Sequence, residues 1–163
     1  MDNAEQRSAG VILCTLRDGE PYVLLMVQNS KKYKRKGEED VMDIGAKGAI
    51  ENGEDERAAA LRETEEETGI RPELEKSFRE VTKYYYEDIL WKTGRMTHIN
   101  KTVTYFLALI NENDAKRIKI SHEHLSYKFV KIDDAIKGVG KAGQKRLLRK
   151  VRKYIKNKNK RVG

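Results

Sequence analysis

The sequence predicts a mixed α/β domain, because segments typical of strands and of helices alternate along the chain. Its 163 residues are enough for one domain with a substantial core, but hardly for two. No apolar run approaches the ~18 residues that a membrane-spanning helix needs. The polar N-terminus shows no secretory signal, and a single cysteine, Cys14, excludes an internal disulfide. We therefore expect a cytoplasmic protein with no membrane partner.

The first half of the chain predicts a hairpin, a loop and a helix. Apolar runs at 10–16 and 22–28 flank an Asp-Gly-Glu-Pro turn, which is typical of a β-hairpin. A charged segment at 31–40, KKYKRKGEED, has no periodicity, and a short strand is expected at 41–44. Residues 45–53 predict a glycine-rich loop. Residues 54–68 are rich in helix-forming residues, and Gly69 is placed to end that helix.

The second half predicts three more strands and two helices. Segments 77–90 and 97–110 are rich in Tyr, Val, Thr and Ile, and a turn separates them at 93–95. A strand follows at 125–132, and then a short helix begins at Asp133.

Positive charge is concentrated at the end of the chain. The formal net charge is +8, and the residues after Asp134 include 12 Lys or Arg and no acidic residue. Apolar residues at helical spacing predict a basic amphipathic helix at about 141–156 that packs on the domain. Residues 157–163 lack apolar anchors and are expected to be a disordered tail, which leaves a single domain at 1–156. The charged face is either a solvated surface or a weak contact for a nucleic acid such as RNA or for acidic lipid.

The helix at 54–68 carries a cluster of carboxylates. At 100° per residue, Glu63, Glu66 and Glu67 lie within about 100° of one another, whereas Ala58 and Leu61 point the opposite way, towards a core. Crowded carboxylates repel, and a hard divalent cation would neutralise them. Because the segment contains no Cys or His, Mg²⁺ or Mn²⁺ is favoured over zinc. On its own, a Glu-x-x-Glu-Glu pattern is more typical of a solvated acidic helix.

The spacing around these glutamates distinguishes the two interpretations. Residues 48–70, GAIENGEDERAAALRETEEETGI, match G-x5-E-x7-R-E-U-x-E-E-x-G-U, where U is usually aliphatic and is Thr64 at its first position. The chain therefore resembles the Nudix hydrolases. That resemblance implies the Nudix fold, with a mixed β-sheet sandwiched between helices. It also implies metal-dependent hydrolysis of a pyrophosphate linkage in a nucleoside diphosphate derivative.

The resemblance also implies roles for individual residues. Glu63, Glu66 and Glu67 would hold the metal, and one of them, left unassigned, would deprotonate the attacking water. Arg62 would orient these glutamates through charge-assisted hydrogen bonds. The backbone carbonyl of Lys47 would be a further metal ligand.

Other segments resemble one branch of the family, the hydrolases that cleave diadenosine tetraphosphate asymmetrically. These segments are ISHEH at 120–124 and KTVTYFLA at 101–108. The resemblance implies that Glu123 completes the metal site and that Lys47 and Lys101 contact the phosphate chain. It further implies that a tyrosine within 84–86 stacks on adenine, and strand alternation places Tyr84 and Tyr86 on one face.

The expected reaction is hydrolysis of diadenosine tetraphosphate to ATP and AMP by a monomer or dimer whose partner is a small nucleotide. Residues 46–49 read Ala-Lys-Gly-Ala, whereas that branch usually has Pro-Lys-Gly-His, so other substrates stay open. They include ADP-ribose, RNA 5′ ends and an inositol pyrophosphate. A non-catalytic nucleotide-sensing module is a further alternative, although the intact glutamates argue against it.

Overall fold

A computed structural model describes residues 2–28, 42–44, 46–120 and 124–162 of the chain. Strands and helices alternate in it, which confirms the predicted mixed α/β class. The charged segment at 31–40 and the candidate ligand Glu123 lie outside the described residues. The elements, in chain order, are β1 (Asp2–Arg17), β2 (Glu20–Gln28), β3 (Met42–Ile44), β4 (Ala46–Ala49), α1 (Glu56–Thr68), β5 (Glu80–Ile89), β6 (Met96–Leu109), α2 (Glu112–Lys116), β7 (His124–Lys131), α3 (Ile132–Gly138) and α4 (Ala142–Val162).

The strands form a mixed sheet in the order β3-β2-β1-β6-β5, with β4 paired to β1 and β7 paired to β2. The predicted hairpin is present, since β1 and β2 pair antiparallel from Cys14 opposite Val23 to Arg17 opposite Glu20. The long central pair, β1 with β6, is parallel, and the other pairs are antiparallel.

Helices cover both faces of this sheet. Alternation along β1 sends Ile12 into one core and its neighbour Val11 into the other. The first core lies under α3 and α4 and includes Leu148, whereas the second lies under α1 and includes Ala60. The expected arrangement of a sheet sandwiched between helices is therefore confirmed. Among the described residues, no helix is long and apolar enough to cross a membrane.

Besides the earlier start of β1 at Asp2 and the unpredicted helix α2, two segments differ from the sequence-based expectations. Part of the predicted loop at 45–53 is strand β4, because Ala46–Ala49 pairs antiparallel with Ser8–Val11 of β1. The predicted tail also differs, because α4 continues through 157–162. Lys158 of this extension forms an ion pair with Glu75. Both differences depend on contacts with residues far away in the sequence, which local composition does not reveal.

Candidate active site

Helix α1 begins at Glu56, two residues later than predicted, and ends at Thr68 as its sequence predicts. Asp55 is the N-cap, and its Oδ1 accepts a hydrogen bond of 2.7 Å from the backbone N–H of Ala58. At the other end Gly69 adopts a left-handed conformation, φ 77°, and donates its N–H to the carbonyl oxygen of Glu65. These caps hold α1, and hence its glutamates, at one register against the sheet.

The buried face of α1 differs from the predicted one. Ala58 is exposed and Leu61 is half-buried, so their prediction as core-facing residues is wrong. The buried positions are Ala59, Ala60, Thr64, Glu67 and Thr68. Small side chains let the helix approach β1 closely, and this contact sets the rotation of the helix about its axis. Because of that rotation, Glu67 lies in the buried face, 7% exposed, whereas Glu66 faces solvent.

Thr64 shows why the helix tolerates a polar residue at the usually aliphatic position of the motif. Its side chain is fully buried, and its hydroxyl donates to the carbonyl oxygen of Ala60 at 2.7 Å. The hydroxyl is thus satisfied within its own helix, so its burial leaves no donor unpaired.

Arg62 connects the loop before the helix to the glutamates on it. Its Nε and Nη2 donate to the two carboxylate oxygens of Glu54 at 2.7 and 3.0 Å. Its Nη1 donates to Glu63 at 2.9 Å and to Glu66 at 3.3 Å, and Nη2 also donates to the carbonyl oxygen of Ala49 at 2.9 Å. One guanidinium therefore joins β4, the loop and α1 through a bidentate pair, which is the geometry in which arginine binds most specifically.

Glu54, the anchor of this arrangement, also orders its own loop. Its Oε1 accepts a hydrogen bond of 2.9 Å from the backbone N–H of Glu51. The hydrogen bonds that Arg62 donates to Glu54 hold the pKa of the Glu54 carboxyl below its usual range, and the same hydrogen bonds raise the pKa of Arg62. Glu54 thus holds Arg62 at the entrance of α1.

The closest approach between α1 and β4 occurs at Gly48. A Cβ atom at this position would lie 2.1 Å from Cδ of Glu63 and 2.3 Å from each of its carboxylate oxygens. Only a residue without a side chain leaves room for this carboxylate against the strand. Burial raises the pKa of Glu63, although Arg62 opposes that shift.

The donors in this region suit a hard divalent cation. Among the described residues, no three Asp, Glu, His or Cys side chains already form a metal-binding group, and Nη1 of Arg62 instead bridges Glu63 and Glu66. The available ligands are carboxylates and the backbone carbonyls of β4, all of them oxygen. The missing side chain of Gly48 brings these two kinds of ligand together. The residues therefore fit an ion such as Mg²⁺ or Mn²⁺.

A second group of predicted residues lies on the sheet face under α3 and α4. Nζ of Lys47 donates to the Tyr105 hydroxyl at 3.3 Å and forms an ion pair of 3.5 Å with Asp43. Burial opposes the charged form of Lys47, but Tyr105 and Asp43 hold its pKa above the ordinary range. Gln144 of α4 donates in turn to Asp43. Lys47 is thus held as a cation on the rigid sheet.

Lys101 and the tyrosines extend this group along β5 and β6. Tyr84 pairs with Lys101 across the two strands, and the Tyr84 and Tyr86 rings stack with centroids 6.2 Å apart. Nζ of Lys141 lies 5.4 Å from the Tyr84 ring centroid. Burial lowers the pKa of Lys101, and repulsion from Lys47 and Lys141 lowers it further. Like-charge repulsion among lysines makes this face a favourable place for an anion.

The structure thus brings the predicted residues together in two groups joined at β4. Lys47 faces the lysine and tyrosine group, and the adjacent Gly48 contacts Glu63; adjacent Cα atoms are about 3.8 Å apart. Within the described residues β4 pairs only with β1, so no strand pairs with its other edge. The hydroxyl of Tyr86 donates to Gln6 at 3.0 Å. This hydrogen bond holds the Tyr86 ring in place and limits its ability to turn towards a substrate.

Sequence reasoning missed several members of the second group. Strand alternation signals one of them, since Tyr105 lies four residues after Lys101 and so shares its face. For the others there is no local signal, because Asp43 and Gln144 are 101 positions apart in the chain. Lys141 reaches Tyr84 only through the packing of α4.

The chain is similar to known proteins in both sequence and fold. Residues 4–151 match the NUDIX domain. A bis(5′-nucleosyl)-tetraphosphatase [asymmetrical] of Caenorhabditis elegans is 34% identical over 109 residues, 67% of this chain and 72% of that protein. An RNA pyrophosphohydrolase of Roseobacter denitrificans is 34% identical over 115 residues, 64% of this chain and 69% of that one. A crystal structure of a C. elegans Ap4A hydrolase binary complex has a TM-score of 0.73 at 28% identity and covers 93% of this chain and 98% of its own.

Proposed function

The chain belongs to the NUDIX domain family and is a pyrophosphohydrolase, and we propose that it cleaves diadenosine tetraphosphate to ATP and AMP. One observation carries the proposal. Three lysines lie beside two stacked tyrosines, and these residues are Lys47, Lys101, Lys141, Tyr84 and Tyr86. Lys47 joins this cluster to the carboxylates, because it is adjacent on β4 to Gly48, which contacts Glu63. A dinucleoside polyphosphate has the matching chemistry, which is a long anionic chain ending in a flat base.

The phosphate chain would lie across the unpaired edge of β4. Lys47 is already charged and held by Asp43 and Tyr105, so it would bind a phosphate oxygen without reorganising. Lys101 is half-buried and crowded by cations. A phosphate beside it would relieve the repulsion, and Lys101 would therefore bind more tightly as negative charge develops.

The glutamates of α1 would hold the divalent cation that Nudix hydrolases generally use. The ligands would be Glu63, Glu66, Glu67 and the Lys47 carbonyl, and we propose Mg²⁺ or Mn²⁺ as the ion. Such a cation neutralises phosphate oxygens and helps to orient water for in-line attack. Arg62 would keep Glu63 and Glu66 aligned, and one of the glutamates would accept the proton of the attacking water. Glu123 stays a proposed fourth ligand.

Tyr84 is the better candidate for stacking on adenine. Tyr84 is 38% exposed and its ring faces Lys141, whereas Tyr86 is half-buried and its hydroxyl is held by Gln6. An aromatic face beside a cation suits a base whose attached phosphates are anionic.

The test is a substrate panel with Mg²⁺, resolved by anion exchange. The panel contains diadenosine tetraphosphate, ADP-ribose, deoxynucleoside triphosphates and triphosphorylated RNA. We expect ATP and AMP from the dinucleotide, at a kcat/KM well above the others. Faster release of pyrophosphate from RNA than cleavage of the dinucleotide would contradict the proposal that diadenosine tetraphosphate is the substrate. It would favour the activity named for the R. denitrificans relative.

A pair of variants tests the lysine cluster directly. Lys101→Gln should raise KM or lower kcat for the dinucleotide, because it removes a half-buried cation from the phosphate path. Lys83→Gln is the matched control, since Lys83 pairs with Thr102 on the opposite face of the same strands and is exposed. Equal kinetics of the two variants would exclude the proposed path.

A further inference from the structure

Helix α4 presents a straight line of cations to solvent. Its apolar residues, Leu147, Leu148, Val151 and Ile155, are buried against the sheet. On the opposite side, within an arc of about 80°, five exposed residues follow one another at spacings of three and four. They extend about 21 Å along the helix axis at 1.5 Å per residue. This basic stripe consists of Arg146, Arg149, Lys153, Lys156 and Lys160.

The stripe differs from the cations beside it. Lys150 and Arg152, on the flanks of α4, form ion pairs with Glu80 at 2.8 Å and Asp133 at 2.7 Å. Over the described part of the chain, no stripe residue has an acidic partner. The sequence after Asp134 contains no acidic residue that could supply one. Successive stripe residues therefore repel one another along the helix, and an external anion would relieve that repulsion.

We propose that the basic stripe binds single-stranded RNA through its phosphates. A line of cations on one helix face matches a line of anions in one strand, and such contacts need no particular base sequence. The domain covers the other side of α4, so only this face can meet a partner. Association would be fast and strongly dependent on salt.

A lipid surface fits this face less well than RNA. Helices that lie in a membrane interface insert a row of large apolar residues beside their cations. In α4 those residues form part of the protein core, and all five members of the stripe are basic. The stripe can therefore bind a partner only through its positive charges, and this favours a partner whose negative charges are regularly spaced, such as an RNA strand.

The stripe begins close to the candidate active site. Lys141, whose Nζ lies 5.4 Å from the Tyr84 ring centroid, directly precedes α4, and Arg146 lies in the second turn of that helix. Strand β5 and α4 also meet here, where Arg146 and Val81 line the same groove of about 250 Å³. A strand bound along the stripe would therefore have one end near the lysine cluster. The binding itself requires neither hydrolysis nor the proposed dinucleotide substrate.

The test measures affinity for a fluorescent 12-nucleotide uridine RNA as a function of salt, by anisotropy. The stripe variant carries Arg149→Gln, Lys153→Gln and Lys156→Gln. The control variant carries Lys83→Gln, Lys116→Gln and Lys119→Gln, which are exposed residues away from α4. Both variants lose three positive charges, so a difference between them reports position and not net charge. Circular dichroism checks that both retain the helical signal of the parent.

Five phosphate contacts to a single strand predict a slope of log K against log salt of about −3.5, or a loss of about 130-fold between 50 and 200 mM. With two contacts left, the stripe variant should show a slope of about −1.4 and a loss of about 7-fold over the same range. The control variant should behave as the parent. Hydrolysis of small nucleotides should be unchanged in the stripe variant, which separates this proposal from the proposed substrate.

Three results would overturn the proposal. One is a stripe variant whose salt slope equals that of the control. Another is a parent protein that does not bind the RNA at 50 mM salt. The third is a parent protein that binds vesicles containing anionic lipid when the stripe variant does not, while the two proteins bind RNA equally well.

Discussion

Gly48→Ala is the perturbation whose consequence can be worked out furthest. The added Cβ would lie 2.1 Å from Cδ of Glu63, and contacts shorter than 3.0 Å are essentially never observed. The carboxylate must therefore move by about 1 Å, and a misplacement of that size costs about 100-fold in rate. The movement would also disturb the 2.9 Å hydrogen bond from Arg62 to Glu63. We expect kcat to fall about 100-fold, which corresponds to about 2.7 kcal/mol.

The stability of this variant should change little. The atoms that the new methyl group meets are the far end of a flexible side chain, so a rotation of Glu63 relieves the overlap without a backbone shift. Alanine also reduces the conformational entropy of the unfolded chain, which stabilises by about 0.4–1 kcal/mol. A large loss of rate without a loss of stability is thus the specific expectation.

The assay pairs kcat for the fastest substrate of the panel with the thermal midpoint. Gly138→Ala is the matched control, because a Cβ atom there would meet nothing within 4 Å. Wild-type kcat in Gly48→Ala would refute the argument that Gly48 makes room for a functional carboxylate. So would a fall in the thermal midpoint large enough to explain the lost activity by unfolding.

Two further predictions concern α1. Glu67→Gln should lower the rate at least about 100-fold, because it removes a charge proposed to bind metal. Glu65→Gln, which changes an exposed residue of the same helix, should leave the rate unchanged. Equal rates of the two variants would exclude the proposed metal site. Glu56→Gln should destabilise by up to about 1 kcal/mol at neutral pH. Burial opposes the charge of Glu56, but Arg79, with Nη2 at 2.7 Å, holds its pKa below the usual value. The stabilisation is therefore fully present above that usual value and is lost as the pH falls through the lowered pKa. The difference between variant and parent in urea unfolding should shrink as the pH falls, and a difference that does not change with pH would contradict the assigned ion pair.

The sequence alone determined the features that depend on nearby residues. Gly69 could be recognised as the end of α1 because capping uses backbone groups within four positions. The motif spacing identified Arg62 and the glutamates, and strand alternation placed Tyr84 beside Tyr86. Each of these inferences relies on the fixed geometry of one helix or one strand, which the chain carries locally.

Only the tertiary structure decided how these elements face one another. The sheet selects Ala59 and Ala60 as the buried face of α1, which turns Glu67 inwards, because small side chains permit the closest packing. The pairing of β4 with β1 brings Lys47 to Tyr105, and the packing of α4 brings in its residue Gln144 and Lys141, which directly precedes it. These contacts join segments up to 101 residues apart. Their register depends on the packing of the whole sheet, and no local pattern in the sequence specifies it.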